Sequence, residues 1–237
     1  MIAGTFTNFV WGFLLASVLR SVLVDGNVGG LTRTTATSFT FLAQGLIATS
    51  RMFGDMTLVA LVRSGDVATE LQRPWDWSTY RLSSDLGQSL FASLTRGTTV
   101  VVAGWLVYRL PLPALTDALG FAVCAVLAAV LASRLWTMAG VASFWLVDGT
   151  GVVQMVVGVA TFGAGLIVPL QIYGDGLRHV LYALPFAGLV QGPIDVFLGL
   201  RGVGTVAFRQ LTWIAVLEVL LRLELRAATR KLEVQGG

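Results

Sequence analysis

Residues 149–174 carry no charged side chain, and this stretch limits what the chain can fold into more than any other feature. It is longer than the roughly 20 residues with which a helix crosses the hydrocarbon core of a bilayer. The composition agrees: 55% of the 237 residues are hydrophobic and 12% are charged, whereas soluble domains carry about 25% charged residues. The alternation typical of outer-membrane barrel strands is absent. The sequence therefore predicts an all-α integral membrane protein.

Apolar stretches divide the chain into six predicted transmembrane helices within one domain, residues 1–237. The predicted spans cover residues 2–24, 34–51, 97–111, 115–133, 149–170 and 202–222. Leucine recurs at every fourth position from Leu82 to Leu94 beside several polar residues, which favours a helix lying partly in the membrane interface. Residues 170–200 are apolar but broken by prolines and glycines, which predicts one or two short re-entrant or interfacial helices.

The basic residues predict the orientation of these helices. With both termini inside the cell, ten basic residues near the spans lie on the inner side and four lie on the outer side. Cytoplasmic loops carry the excess of arginine and lysine in membrane proteins. The inner set is Arg51, Arg63, Arg73, Arg81, Arg96, Arg134, Arg222, Arg226, Arg230 and Lys231, and the outer set is Arg33, Arg109, Arg178 and Arg201.

Residues 63–77 form the densest run of charge, between two apolar regions, and the orientation above places this run in the cytoplasm. Nothing in the chain indicates an enzyme. A P-loop needs a lysine that reaches the phosphates of the nucleotide, and the only lysine, Lys231, lies outside any such motif. Motifs of zinc proteases, serine hydrolases and dithiol redox sites are also missing. The sequence predicts no catalytic, cofactor or metal site in this chain.

Ionisable residues inside predicted spans are candidates for function. Arg209 and Glu218 both lie in the last span, and their spacing places them on opposite faces of one helix. Glu218 has Arg222 four residues later, a spacing that favours a local ion pair. Arg209 has no such neighbour, so we expect it to face a wet cavity, the broken outer segment or an acid, for which Asp195 is the candidate. Arg51 and Asp55 have the spacing of another local pair.

Five pieces of sequence occur in an order that is fairly specific, although each alone is weak. They are FTNFVWG at 6–12, FLAQGL at 41–46, RSGD at 63–66 with ELQRP at 70–74, then GLIVPL at 165–170 with LPFA at 184–187 and QGPIDVFLG at 191–199, and QLTW at 210–213 with RKLEVQGG at 230–237. With these pieces the chain resembles the membrane subunits of ABC-2 type transporters, in the branch with six spans and a separately encoded ATPase. One departure is that the first span starts almost at Met1, where the family has an amphipathic elbow helix, so we expect either a missing elbow or an internal start site.

The resemblance implies a permease of the bacterial inner membrane that works with two ATPase subunits and with a second permease, identical or homologous. The ATPases would bind ATP and Mg²⁺, and the permeases would form the path, in contact with membrane lipid and with no nucleic acid. Export of a drug, an antibiotic or another amphipathic, lipid-like molecule is the expectation from the family. The alternative is a scaffold or sensor subunit without transport activity.

The resemblance also implies two sets of site residues. A cytoplasmic coupling helix would dock the ATPase, and an outer gate or translocation path would include part of the broken outer segment. The coupling set is Arg63, Gly65, Asp66, Glu70, Leu71, Arg73 and Pro74. The outer set is Arg209, Pro185, Phe186, Pro193 and Asp195. The other reading of the coupling set is a solvated loop, and that of the prolines is plain turn chemistry.

Overall fold

The computed structural model describes residues 2–23, 30–146 and 148–235. The end of the first predicted span at residue 24 and the side chain of Lys231 lie outside this description. The described residues form an all-helical bundle without strands. Its α-helices are α1 Ile2–Val22, α2 Arg33–Thr49, α3 Thr57–Ser64, α4 Val67–Leu71, α5 Trp77–Ala92, α6 Thr98–Tyr108, α7 Leu115–Val141, α8 Thr150–Gly163, α9 Asp175–Ala183, α10 Gln191–Phe197 and α11 Val203–Gln235.

Four helices of the described part are long and apolar enough to cross a membrane. They cover Thr5–Val22, Trp77–Tyr108, Leu115–Phe144 and Val203–Arg230. Two further stretches that the sequence predicts as spans are shorter helices, since α2 has 17 residues and α8 has 14. The fourth span also continues beyond its predicted end at residue 133. The structure therefore shows membrane-spanning helices, and the total of six spans stays a prediction.

Helix α2 is the centre of the bundle, because every residue from Ala36 to Thr49 is buried. A helix buried on all faces needs no polar stripe, and no charged residue occurs between Arg33 and Arg51. Two of its buried hydroxyl groups are satisfied within the helix, since Thr37 and Thr40 donate to the carbonyl oxygens four residues earlier, at 2.7 and 3.0 Å. The central position of α2 explains its uniformly apolar and hydroxyl-bearing sequence.

The third predicted span, residues 97–111, belongs mostly to a longer helix that begins before residue 97. The helix starts at Trp77 and runs to Tyr108, with one π-helical turn at Ser93–Gly97 joining α5 to α6. Among the leucines of the four-residue repeat, Leu90 and Leu94 are exposed on the outside of the bundle. Arg81, Asp85 and Ser89 form a buried polar face of α5, whereas most of its other polar side chains are more exposed. The position of this helix relative to the membrane interface stays a prediction.

The broken outer segment contains the short helices that its prolines and glycines predict. Helix α9 is followed by a 3-10 turn at Pro185–Gly188 and by α10. Pro185 begins the 3-10 turn and Pro193 lies in the first turn of α10, where the missing N–H leaves no helical hydrogen bond unmade. Gly199 ends the segment with a φ of 67°, a conformation that glycine adopts without strain. Its depth in the membrane stays a prediction.

Candidate functional site

The charged hairpin, defined here as residues 57–76, consists of α3, a tight turn and α4. Gly65 makes the turn, with a φ of 82° and an exposed surface on which an added Cβ would meet nothing within 4 Å. Ser64 Oγ donates to Asp66 Oδ2 at 2.6 Å across the turn. Val67 is 2% exposed and anchors α4 against Leu58, Phe144 and Leu221. Val67 therefore fixes the turn to the bundle, while residues 63–66 on the other side of the turn are exposed.

The exposed face of the hairpin carries most of the predicted coupling residues. Arg63, Asp66, Arg73 and Pro74 are exposed, whereas Glu70 and Leu71 are half-buried. Arg73 pairs with Glu70 at 2.8 Å, and its guanidinium lies 5.2 Å from the ring centroid of Trp75. Trp75 is 45% exposed. A large aromatic ring beside paired charges on an exposed turn is typical of protein interfaces.

Four charged residues join the two ends of the hairpin, and we call them the base network: the half-buried Arg51 and the buried Asp55, Arg81 and Asp85. Arg51 pairs with Asp55 at 3.0 Å, as its spacing predicts, and with Asp85 at 2.5 Å. Arg81 pairs with Asp55, on the other side of the hairpin, and with Asp85 at 3.2 Å. Asp55 also accepts the backbone N–H of Thr57 at 2.8 Å and so holds the start of α3. The network ties α2, α3 and α5 together below the hairpin.

A second ion pair lies next to this network. Arg134, 5% exposed in α7, pairs with Glu218 of α11 at 2.8 Å and donates to Ser78 Oγ of α5 at 2.9 Å. Glu218 also accepts from Arg222 at 2.6 Å, which confirms the local pair that the spacing predicts. The partner of Glu218 on another helix was not predicted. Arg134 therefore links three helices at the inner end of the bundle.

A groove of about 260 Å³ separates the hairpin from the inner part of α11. Leu71, Asp76, Trp77, Arg222 and Arg226 line it. Asp76 caps α5 by accepting the N–H of Thr79 at 2.9 Å and its hydroxyl at 2.5 Å, and these two hydrogen bonds lower the pKa of Asp76. The groove thus presents a carboxylate and two arginines beside the exposed hairpin.

In the broken segment, which is predicted to face outward, Asp195 is the centre of a buried polar cluster. It is 0% exposed and accepts from Gln171 at 2.6 Å, Gln191 at 2.7 Å and Tyr182 at 2.7 Å. Arg201 lies 3.3 Å from its second oxygen. Burial raises the pKa of Asp195 to about 6, against the opposing effect of these donors. Because all four partners are donors, the geometry favours the carboxylate form.

Of the three alternatives for Arg209, the structure does not show the pair with Asp195. The carboxylate is taken by Arg201, and the Arg209 guanidinium lies 5.9 Å from the ring centroid of Tyr182. Arg209 does line a cavity of about 660 Å³ that Asp195 also lines, and this cavity fits the expected polar surroundings. Among the other outer residues, Pro185 and Pro193 are buried, and Phe186 packs against Gly163 of α8. The five predicted outer residues thus occupy one region, but they do not line one surface.

Within the base network only the pair of Arg51 with Asp55 was predicted from the sequence. The other pairs of that network, the contacts of Arg134 and the cluster around Asp195 were not. One local pattern could have indicated a further pair: Arg81 and Asp85 have the spacing of a helical ion pair. Only the leucine repeat of that helix was used in the sequence analysis, and it predicted an interfacial helix. The other pairs join distant parts of the chain, and no local pattern marks them.

A third cavity lies on the side of the bundle, between α2, α5, α6 and α7. Its volume is about 450 Å³ and its lining is almost wholly apolar. The polar groups in it include Thr49 and Ser93, which are hydrogen-bonded to each other at 2.6 Å. Phe121 of α7 and Phe197 of α10 line the cavity as well. It therefore suits an apolar chain or ring system.

Comparison with known proteins gives one match. The family model described as "ABC-2 family transporter protein" matches residues 8–236, nearly the whole chain. A search of curated proteins found no match, and a search of solved structures found none either. The match covers the charged hairpin, the inner ion pairs and the outer polar cluster together. The chain therefore belongs to the ABC-2 family of transporter proteins.

Proposed function

We propose that this chain is the permease subunit of an ABC exporter, driven by an ATPase that is a separate polypeptide. Family membership over residues 8–236 is the observation that carries this proposal. It implies a membrane component that works with an ATPase subunit. The sequence supports a separate motor, because the chain has one lysine and no P-loop motif around it.

The ATPase docks on the charged hairpin in this proposal. The hairpin offers the exposed side chains of Arg63, Arg73 and Trp75 on an anchored turn, and the groove beside α11 adds Arg222 and Arg226. Rigid support below a docking surface matters, because a motion of the partner is transmitted only if the surface does not deform by itself. The base network supplies that support through ion pairs to α2 and α5.

Movement of the hairpin would therefore shift α2 and α5 as a unit. Both helices line the apolar side cavity of about 450 Å³, so a shift of α5 relative to α7 changes the shape of that cavity. We propose that this cavity admits the apolar part of an amphipathic, lipid-like or drug-like substrate. The outer residues Arg209, Pro185, Phe186, Pro193 and Asp195 would form the outer gate.

The complete transporter in this proposal contains two ATPases and two permeases, with the second permease identical or homologous. Each permease has six spans in the cell membrane and keeps both termini inside, with α2 and α8 as the two short spans. The short length of α2 suits its place inside the bundle, where protein rather than lipid surrounds it. Direction and substrate follow the family expectation of export.

Copurification tests the proposal. The chain is expressed with the ATPase encoded in the neighbouring reading frames, and complex formation and ATP hydrolysis are measured. Gly65→Trp and Arg73→Glu are each expected to weaken the complex and to abolish stimulation of the ATPase by the permease. Gly65→Asn is the matched control, because asparagine tolerates a left-handed turn and adds little bulk. Arg33→Glu, on the predicted outer side, controls for charge reversal.

Two results would contradict this assignment. Full complex formation and ATPase stimulation by both Gly65→Trp and Arg73→Glu would remove the hairpin as the docking surface. A stable complex whose ATPase activity never responds to the permease or to added lipid would favour a scaffold or sensor subunit instead.

A further inference from the structure

Three arginine side chains line the cavity of about 660 Å³ beside the broken segment. Its wall combines α9, α10, the following turn and the outer part of α11. The lining includes Arg178, His179, Tyr182, Asp195, Arg201 and Arg209. The apolar side cavity described above has a wall of a different kind, so the two cavities favour different ligands.

Two of the three arginines have acidic partners. Arg178 pairs with Asp175, and Arg201 lies 3.3 Å from Asp195. Asp195 also accepts hydrogen bonds from three neutral donors, so its lone pairs are largely occupied. Arg209 has no carboxylate within 4 Å among the described residues. The described wall therefore carries a net positive charge. Arg209 is the arginine whose charge no acidic side chain of the described residues balances.

The arrangement holds two guanidinium groups close to one ring. The Arg201 group lies 4.0 Å and the Arg209 group 5.9 Å from the ring centroid of Tyr182. The hydroxyl of Tyr182 donates to Asp195, which fixes the ring. Two like charges near one another repel unless an anion lies between them, and guanidinium groups bind phosphate oxygens in a bidentate way. The geometry thus favours an oxyanion as the ligand.

The surroundings of the cavity are apolar. Leu200 lines the cavity and is 37% exposed. Leu177 and Val180, which flank the lining residues Arg178 and His179 in sequence, are exposed on α9. An arginine in this setting is costly, about 2.5–3.5 kcal/mol near the middle of a membrane, unless a partner or water compensates it. A ligand with an anionic head and an apolar tail matches both the charge and the rim.

We propose that this cavity binds the phosphate head of an anionic amphiphile such as a phospholipid. Arg209 makes the main contact with the phosphate, and Asp195 and Tyr182 position Arg201 as a second donor. The apolar tail lies along Leu200 at the edge of the cavity. This inference goes beyond the proposed permease function and does not rest on it, because binding is measured on the purified chain without an ATPase.

The test measures binding by calorimetry on the full chain in detergent. The probes are dihexanoyl-phosphatidylglycerol, dihexanoyl-phosphatidylcholine and sodium phosphate. We expect phosphatidylglycerol to bind more tightly than the other two, and Arg209→Gln to weaken it about tenfold or more, since a charge-assisted hydrogen bond is lost. Arg230→Gln is the matched control, because it removes an exposed arginine from the opposite end of the same helix, and it should leave the affinity unchanged. Arg209→Lys should bind with intermediate affinity.

Three results would overturn the proposal. One is wild-type affinity for phosphatidylglycerol in a folded Arg209→Gln chain, and another is no binding of phosphatidylglycerol at all. The third is equal affinity for sodium phosphate and for phosphatidylglycerol, which would identify the ligand as a soluble anion. Elution as a single peak in size-exclusion chromatography shows that each variant is folded, so a loss of binding cannot come from misfolding.

Discussion

Asp85 is the least exposed of the four residues of the base network. It is 1% exposed and accepts from Arg51 at 2.5 Å, from Arg81 at 3.2 Å and from Ser133 at 2.7 Å. A buried ion pair contributes little compared with a well-packed apolar pair, but removing one partner leaves a buried charge uncompensated. Asp85 therefore matters to this chain because two arginines depend on it.

We predict that Asp85→Asn lowers the free energy of unfolding by about 3 kcal/mol, the lower end of the range for breaking a buried pair. The check is the midpoint of thermal unfolding of the purified chain in detergent. Asp66→Asn is the control, because Asp66 is exposed on the hairpin and its loss should have little effect.

The double variant Asp85→Asn with Arg81→Gln tests whether the two residues act together. Because it removes a charge of each sign from one network, we expect it to be less destabilised than the sum of the two single variants. Additive losses would show that the base network is not a coupled unit.

At the scale of elements, the crossing of α2 with the α5–α6 helix is the closest contact in the bundle centre. A Cβ on Gly97 would lie 2.9 Å from the carbonyl oxygen of Gly45, and one on Gly45 would lie 3.3 Å from the carbonyl oxygen of Gly97. Small residues let helix backbones approach in this way inside membranes. The π-helical turn at Ser93–Gly97 ends at this contact, and such turns recur at functional positions in helices.

Gly97→Ala should therefore destabilise the chain by about 1–3 kcal/mol, the usual effect of overpacking, because only backbone atoms are available to move. Gly87→Ala is the matched control in the same helix, since its added Cβ would meet nothing within 4 Å. Helix propensity predicts that Gly87→Ala is neutral or stabilising by up to about 1 kcal/mol. Equal thermal midpoints for the two variants in detergent would contradict the close-packing argument.

For the whole molecule, the six-span arrangement predicts which loops face which side of the membrane. Thr69 in the hairpin should face the cytoplasm, and Gly176 in α9 should face outward. Both positions are exposed, and an added Cβ at Gly176 would meet nothing within 4 Å. The single cysteine of the chain, Cys124, is 0% exposed, so the unmodified chain serves as the blank.

In spheroplasts, a membrane-impermeant maleimide should label Gly176→Cys at once and Thr69→Cys only after permeabilisation. Labelling of both positions from the same side would contradict the orientation and the number of spans between them. Labelling of the unmodified chain would show instead that Cys124 is accessible, against its burial here.

Local sequence was enough to predict the class of fold and several landmarks. The prediction that Glu218 pairs with Arg222 is confirmed, and so is the pair of Arg51 with Asp55. The first pair depends on spacing within one helix, which the backbone geometry determines. Arg51 and Asp55 lie instead in the turn that follows α2, so their pair forms although the helix has already ended. Prolines and glycines likewise predicted the short helices between residues 170 and 200, because they act on the backbone at their own position.

The pairs that join different helices could not be predicted in this way. Asp195 pairs with Arg201 and not with Arg209, although both arginines follow it in the chain. Arg81 reaches Asp55 across the whole hairpin. Which faces of two helices meet depends on packing against all their neighbours, and no pattern within either helix records it.

By itself, the sequence determined that this is a helical membrane protein with a charged hairpin and a segment broken by prolines and glycines. Composition and local backbone preferences suffice for that, since an apolar stretch without charge can be stable only out of water. Tertiary structure alone decided that α2 is the buried centre and that four charges support the hairpin. It also decided that Arg209 lines a cavity beside α9 and α10, with no carboxylate within 4 Å among the described residues. The physical reason is that ion pairs and cavities are formed between helices, by side chains that are distant in sequence.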